Sequence, residues 1–164
     1  MTRSLKLLAL ALLAFAILAV PATAKKSSGF KTGTYKASGD VSFKFKVYKG
    51  TCYADGGKKK TGYCLSGIGS GPKLQMDCQD VKDGVSDHEE FASLPNQKYI
   101  PSSGKIRIKY TNPVRQDEFD TQTFNLDLGK SGKGSGSLSF DQQVKSISVI
   151  STCSSGKKKF TVKK

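Results

Sequence analysis

The sequence has few of the residues that build metal sites and catalytic centres. It contains one histidine, His88, and its four cysteines never form a C-x-x-C pair. Zinc sites use cysteine and histidine at short regular spacings, so zinc spacing is absent. No G-x-S-x-G motif occurs, since Gly69-Ser70-Gly71 and Gly134-Ser135-Gly136 lack its spacing. These absences argue against a zinc centre and against a serine nucleophile of the α/β-hydrolase kind.

The sequence also lacks a convincing helical period. The best candidate is Ser86–Leu94, where Ser86-Asp87-His88-Glu89 could form a capping box ahead of two apolar residues. Such a helix would have one or two turns. We therefore expect at most one short helix.

Long apolar runs are missing beyond Leu7–Val20, which follows two basic residues and precedes Pro21-Ala22-Thr23-Ala24. This order is typical of a secretory signal with an A-x-A cleavage site. A membrane-spanning helix needs about 20 apolar residues, more than this run supplies. We predict a signal peptide over residues 1–24 and a secreted or extracytoplasmic single domain over residues 25–164, with no transmembrane segment after cleavage. An uncleaved N-terminal anchor is the alternative.

Strict alternation of apolar and polar residues predicts the fold class. It is clearest in Val41–Tyr48, where Val41, Phe43, Phe45 and Val47 face one way. Alternation indicates antiparallel strands with one wet face, because buried parallel strands have continuous apolar runs. About eight or nine short strands separated by Gly and Ser turns predict an all-β fold, an antiparallel β-sandwich with a small β-barrel as the alternative.

Further strands are predicted on the same pattern. They are Gly33–Ser38, Thr51–Ala54, Thr61–Leu65, Lys73–Cys78, Lys105–Tyr110 and Phe119–Leu128. Asn112-Pro113 is expected to break the pattern, and Gly129–Gly136 to form a flexible connection.

The end of the chain, Lys145–Lys163, has the pattern of a β-hairpin. Ile147 and Val149 alternate with serines, Ser154-Ser155-Gly156 is predicted to reverse the chain, and apolar residues alternate again after it. Cys153 has the same parity as Ile147 and Val149, so its sulfur should point inward.

An even number of cysteines in an exported chain predicts two disulfides. We favour Cys64–Cys78, which encloses a Gly-rich loop, together with Cys52–Cys153. Cys52–Cys64 with Cys78–Cys153 is the main competitor, because Cys78 and Cys153 both have inward parity. The longer bridge should stabilise the fold more, since the loss of unfolded-state entropy grows with loop length.

The chain is strongly basic, with 27 Lys and Arg against 13 Asp and Glu and a formal net charge of +14. This balance favours anionic partners, such as an anionic polysaccharide or a cell-envelope polymer, through attraction that salt weakens. The alternative is a Lys-rich surface that only keeps the protein soluble. Beyond residue 24 the arginines are Arg107 and Arg115 alone, which argues against nucleic acid.

Three lysine runs define the predicted binding residues. Lys25-Lys26 lies near the start of the mature chain, and the other two runs lie in predicted turns. Two tyrosines flank the first turn and could stack on sugar rings, or could be ordinary strand residues. The predicted binding residues are Lys58, Lys59, Lys60, Lys157, Lys158, Lys159, Tyr53 and Tyr63. Lys44, Lys46, Lys105, Arg107 and Lys109 could extend the basic surface along strands.

Acidic residues cluster between positions 77 and 90. They are Asp77, Asp80, Asp83, Asp87, Glu89 and Glu90. Oxygen-rich loops suit Ca²⁺, but the spacing of these residues does not match an EF-hand. We therefore favour a solvated acidic loop over a calcium site and assign no metal. A hydrolase using Asp87, His88, Glu89 or Glu90 is a further alternative, and no catalytic residue is assigned because no motif supports it.

Both ends of the chain resemble a known group of proteins. Gly33-Thr34-Tyr35, Cys153-Ser154-Ser155-Gly156 and Phe160-Thr161 are similar to segments of uncharacterised small secreted bacterial β-sandwich proteins. The resemblance implies a fold and a compartment, and no active-site residues. We expect a secreted, monomeric, non-catalytic binding or envelope-associated module without a cofactor. The alternatives are a structural surface protein without a ligand and, third, a secreted hydrolase.

Overall fold

The computed structural model describes residues 29–79, 87–115, 118–145 and 150–164, and most of these residues lie in β-strands. The strands are β1 (Gly33–Gly39), β2 (Phe43–Tyr53), β3 (Lys59–Ile68), β4 (Lys73–Gln79), β5 (His88–Phe91), β6 (Lys98–Tyr99), β7 (Lys105–Arg115), β8 (Glu118–Leu128), β9 (Lys133–Lys145), β10 (Ile150–Ser154) and β11 (Lys158–Lys163). Within the described ranges the one helical segment is a 3₁₀ turn at Asp55–Gly57. The all-β prediction is confirmed.

The candidate helix at Ser86–Leu94 is not formed by its described residues, 87–94. Residues His88–Phe91 form β5, which pairs antiparallel with β4, and Ser86 lies outside the described residues. Local capping chemistry is weaker than the pairing offered by β4, whose Lys73–Met76 segment lies opposite β5.

The long strand β9 organises the sheet. One edge of β9 pairs with β8, which pairs in turn with β7. The other edge pairs first with β11 over Lys133–Leu138 and then with β10 over Asp141–Lys145. The sheet continues from β11 through β1 and β2 to β3 and β6, and from β10 through β4 to β5. Among the described strands, all pairings are antiparallel except a single parallel bridge between β2 and β6.

The expected sandwich of two separate sheets is not confirmed. The eleven strands form one continuous, curled sheet that resembles half of a barrel. The reason lies in β9, whose 13 residues are long enough to pair with β11 and β10 in succession. One strand therefore belongs to both arms of the sheet.

The predicted alternation of burial in β2 is confirmed. Phe43, Phe45 and Val47 are 7%, 1% and 0% exposed, and Lys44 and Lys46 between them are exposed to solvent. Val41, ahead of the strand, is also buried, as predicted. The concave side of the sheet is thus dry and the convex side of β2 is wet.

Aromatic rings fill the centre of the curled sheet. The Phe43 and Phe160 rings meet edge to face with centroids 4.9 Å apart, and Phe124 lies 6.2 Å from Phe43 and 5.9 Å from Phe160. Tyr35 stacks on Phe45 at 5.2 Å. Such pairs contribute roughly 0.5–1.5 kcal/mol beyond the burial of their area.

The glycine-rich stretch at Gly129–Gly136 is a turn and a strand, so the prediction of a flexible connection is wrong. The backbone N–H of Gly129 bonds to the carbonyl of Lys133 at 2.8 Å, and β9 begins at that lysine. A Cβ at Gly136 would lie 2.5 Å from the Phe160 ring. The missing side chain makes room for the aromatic core in a paired strand.

The predicted C-terminal hairpin is also wrong. Strands β10 and β11 do not pair with each other, because both run antiparallel to β9. Ser155 joins them without reversing the chain: its N–H donates to the Phe140 carbonyl, and its Oγ accepts from the Phe140 N–H, both at 2.9 Å. Cys153 points inward as predicted, and Ile147 and Val149 lie outside the described residues.

Asn112-Pro113 does not end its strand, contrary to prediction. β7 continues to Arg115 with a shift of register after Pro113. Of the described strands, β8 alone pairs with β7. Proline is tolerated on such an edge, because its missing N–H is needed only where a strand has two neighbours.

The favoured disulfide pairing is wrong and the competing one is confirmed. The bridges are Cys52–Cys64 and Cys78–Cys153. Cys78 and Cys153 lie directly opposite each other in β4 and β10, with their Cα atoms 4.0 Å apart. Two disulfides indicate folding in an oxidising, extracytoplasmic environment. Over the described part of the chain, no helix is both long and apolar enough to cross a membrane.

The buried phenol of Tyr35 makes the fold sensitive to alkaline pH. Its hydroxyl donates to the Lys31 carbonyl at 2.7 Å, and burial raises the pKa of Tyr35 above the usual 10.0. A group whose pKa is higher in the folded state stabilises the fold below its unfolded pKa, and this stability is lost as pH rises beyond about 10. Urea unfolding should therefore show a shallower alkaline decline for Tyr35→Phe than for the parent; equal declines would contradict this role.

Candidate functional site

The tip of the β2–β3 hairpin folds back on itself. Cys52 pairs with Lys60 and Cys64 with Tyr48, so in a flat hairpin the two cysteines would stand roughly 13 Å apart along the strands. Their Cα atoms are 5.9 Å apart. Gly50 and Gly62 form the cross-strand pair midway between the two cysteines, and we infer that the hairpin bends at this pair. The Cys52–Cys64 bridge therefore holds the tip in a folded position.

Contacts with β6 fix the folded tip. The Tyr53 N–H donates to the Gln97 carbonyl at 2.8 Å, and Lys98 Nζ lies 2.7 Å from Asp55 Oδ1. Tyr99 fills the space at the bend, since a Cβ at Gly62 would lie 2.8 Å from its ring. These contacts place the tip beside the start of β7.

The folded tip and the start of β7 enclose a basic cavity of about 220 Å³, here called the cationic cleft. Its basic lining residues are Lys58, Lys60, Lys98, Lys105 and Arg107. Asp55 is the acidic residue of the lining and is paired with Lys98. Lys60 Nζ lies 5.4 Å from the centroid of the Tyr99 ring, a favourable cation–π distance. The cleft concentrates positive charge in a concave space, which raises the potential felt by an anion.

A second, larger cavity of about 740 Å³ adjoins the first and is here called the polar groove. It lies on the outer side of β8, β9 and β11, because its side chains alternate with the buried Leu126 and Phe160. Its hydroxyl and amide side chains are Ser38, Asn125, Ser135, Ser137 and Thr161. Its charged side chains are Asp40, Arg107, Asp127, Lys157 and Lys159.

Arg107 lines both cavities and is held in place by three hydrogen bonds. One terminal nitrogen donates to the carbonyls of Ile106 at 2.8 Å and Leu126 at 3.0 Å. The other donates to Asp127 Oδ1 at 2.7 Å. The guanidinium is thus held in one position at the boundary of the cationic cleft and the polar groove.

The structure separates the predicted binding residues into those that line the cationic cleft, those that line the polar groove and those in neither lining. Lys58 and Lys60 line the cationic cleft, and Lys157 and Lys159 line the polar groove. Lys158 lies between the last two at the start of β11 and is not in either lining. Lys25-Lys26 lies outside the described residues.

The two predicted tyrosines lie away from the cationic cleft. Tyr53 and Lys59 are cross-strand neighbours, and both face the side of the hairpin opposite to Lys60. Tyr63 shares that side and packs edge to face on Phe30, with ring centroids 5.5 Å apart. Tyr53 is an exposed strand residue, and Tyr63 belongs to the margin of the core.

The acidic residues of the 77–90 segment do not gather around one point within the described part of the chain. Asp87 accepts a hydrogen bond from the Cys78 N–H at 2.9 Å, and Glu89 pairs with Lys73 at 2.7 Å. Alternation along β5 places Glu89 on the face opposite to His88 and Glu90. Asp80 and Asp83 lie outside the described residues.

One group of potential metal ligands does occur among the described residues. It consists of Cys78, His88 and Cys153, whose ligand atoms lie within 4.8 Å of one another. The two sulfurs are joined in a disulfide, and a metal takes thiolates. The group is therefore not a metal site in the oxidised protein.

Sequence reasoning placed Lys105 and Arg107 on an exposed strand face but did not find their role at the joint of two cavities. It missed Lys98, Tyr99 and Asp127, because no local pattern reveals which strand ends meet in space. The bend at the hairpin tip has one visible signal, a glycine two residues before the cysteine in each strand. Comparisons with protein-family models, with curated proteins and with solved structures find no match.

Proposed function

We propose that this chain is a secreted, non-catalytic binding or envelope-associated module that holds an anionic polymer at the cationic cleft. The observation that supports this most directly is the gathering of five basic side chains around one cavity. Cations brought together in a concave space repel one another, and a bound anion relieves that repulsion. The fixed guanidinium of Arg107 adds a planar donor group suited to carboxylate or phosphate.

A structural protein without a ligand is the second candidate. Lysines that only protect a sheet from edge-to-edge association would be spread along exposed strands, as Lys44 and Lys46 are. Lys58 and Lys60 of the hairpin tip converge on one cavity with Lys98 and Lys105, which lie about 40 residues later in the chain. This convergence favours binding over a purely protective role.

The proposal also includes secretion of the protein and its relationship to the family that it resembles. The two disulfides and the N-terminal apolar run both agree with export and cleavage after residue 24. The relationship to small secreted bacterial β-sandwich proteins, with the sandwich it implies, stays a prediction. A hydrolase is a weaker candidate, since Asp87 and Glu89 are engaged with Cys78 and Lys73 instead of lining a cavity with His88.

Retention on an immobilised anionic polysaccharide tests the proposal. The parent protein should bind at low salt and elute as salt screens its charges. The double variant Lys58→Ser/Lys60→Ser should bind about tenfold more weakly, since each partly exposed charge contributes roughly 0.2–1 kcal/mol. The measurement is the dissociation constant at fixed ionic strength, together with the salt concentration at elution.

The double variant Lys44→Ser/Lys46→Ser is the matched control. It removes the same charge from the exposed face of β2, away from both cavities. Its affinity should fall by less than about twofold. Equal losses in the two double variants would show that net charge alone matters, and retention that salt does not affect would remove the proposal.

A further inference from the structure

The geometry points to a carboxylated polysaccharide as the polymer, with an anionic group in the cationic cleft and sugar hydroxyls across the polar groove. This inference rests on the proposed function and specifies its ligand. Its basis is the different chemistry of two adjoining cavities. The cleft is lined mainly by cations, whereas the groove combines hydroxyl, amide, cationic and carboxylate side chains.

The groove is suited to a polyhydroxylated unit. Ser135 and Thr161 are cross-strand neighbours on its floor and are exposed to solvent. The Ser135 hydroxyl can donate and accept a hydrogen bond, and the Thr161 hydroxyl, which donates to the Ser38 carbonyl at 3.3 Å, can accept one from a sugar hydroxyl. A volume of about 740 Å³ lies within the range of roughly 300–1,000 Å³ that is typical of small-ligand sites.

The carboxylates in the groove argue against a densely charged polyanion. Asp40 and Asp127 offset two of the three cations in its lining, Arg107, Lys157 and Lys159, so the groove attracts a phosphate chain far less than the cationic cleft does. A sugar hydroxyl can donate to the same carboxylates, because an ionised carboxylate accepts several hydrogen bonds. The lining therefore favours a chain whose charges are separated by hydroxyls.

Arg107 connects the two parts of the site. Its bonds to Ile106, Leu126 and Asp127 use both hydrogens of one terminal nitrogen and one hydrogen of the other. The guanidinium therefore retains donors for a ligand carboxylate at the boundary of the cleft and the groove. A carboxylate there would have sugar hydroxyls on the groove side.

The aromatic residues of the two linings do not suit nucleic acid. Binding of single strands relies on exposed rings on which bases stack. Phe160 in the groove is 3% exposed, and Tyr99 in the cleft is half-buried between Lys60 and the bend at Gly62. Neither ring offers an open stacking face.

Calorimetric titration with three probes at one ionic strength tests this assignment. Oligogalacturonate has carboxylates and hydroxyls, polyphosphate has charge without hydroxyls, and dextran has hydroxyls without charge. We expect oligogalacturonate to bind most tightly, polyphosphate at least about fivefold more weakly, and dextran not measurably, since only the first probe matches both cavities.

Two groove variants give the assignment a specific readout. Ser135→Ala/Thr161→Val removes two exposed hydroxyls and should weaken the binding of oligogalacturonate about tenfold, because hydrogen bonds to the ligand are lost. The binding of polyphosphate should change by less than about twofold. Ser135→Tyr fills the groove with a side chain that is common in strands. It should also weaken the binding of oligogalacturonate more than that of polyphosphate. Unchanged circular dichroism verifies the fold of each variant.

The outcomes separate this inference from the proposed function. Polyphosphate binding as tightly as oligogalacturonate, or groove variants without selective effect, would overturn the polysaccharide assignment and leave an anion-binding module. Failure of both polyanions to bind would overturn the proposed function as well. Measurable dextran binding that survives Lys58→Ser/Lys60→Ser would show a neutral sugar site and also overturn the assignment.

Discussion

Replacing Cys78 and Cys153 by alanine should lower the free energy of unfolding by about 4 kcal/mol. The two residues are 75 positions apart, and in the chain-entropy model the bridge removes that much freedom from the unfolded state. It also joins β4 to β10, the pairing that attaches the β4–β5 arm to β9. Urea unfolding of the Cys78→Ala/Cys153→Ala variant, followed by circular dichroism, measures the loss.

The second bridge supplies the comparison. Cys52 and Cys64 are 12 positions apart, so the Cys52→Ala/Cys64→Ala variant should lose about 3 kcal/mol. This bridge holds the folded tip, so its loss should weaken binding to an anionic polysaccharide even where the protein stays folded. A smaller stability loss for the 75-residue bridge than for the 12-residue bridge would contradict the assigned roles.

Phe45→Ala should lower the free energy of unfolding by about 3–5 kcal/mol, because it removes a buried ring and leaves a cavity. Phe45 is 1% exposed and stacks on Tyr35. Its neighbour on the other face, Lys44, is exposed, so Lys44→Ala should change the free energy by less than about 0.5 kcal/mol. Urea midpoints and m-values of the two variants measure the difference.

This pair of substitutions tests the alternation on which the sheet depends. A shift of register by one residue would exchange the buried and exposed faces of β2. Similar losses for Phe45→Ala and Lys44→Ala, or a larger loss for the lysine, would show that the concave face of the sheet is assigned wrongly.

The sequence predicted the strands well wherever one face is dry and the other wet. Alternation identified β2, β4 and β8 because burial repeats every second residue in a strand. It failed at Gly129–Gly136, where a side chain at Gly136 would collide with the Asn125 carbonyl and the Phe160 ring of neighbouring strands. It failed again at Ser155, where a turn was predicted. The Ser155 hydroxyl accepts a hydrogen bond from the Phe140 N–H, and the chain passes from β10 to β11 without reversing.

The sequence predicted some residues of the candidate site but not how they are grouped in space. The lysine runs are visible in the sequence, but their grouping depends on the bend at Gly50 and Gly62 and on the position of β7 beside the hairpin tip. Parity along a strand does show that Tyr53 and Lys60 face opposite sides, once the pairing of β2 with β3 is known. The rest of the site depends on pairing between strands that are distant in sequence, which local patterns do not encode.

An NMR titration of the labelled protein with oligogalacturonate tests the proposed site most directly. The largest amide shifts should occur around Arg107 and should extend to Lys60 in the cationic cleft and to Thr161 in the polar groove. Shifts concentrated around Lys44 and Lys46, or spread evenly over all lysines, would contradict a site at the junction of the two cavities.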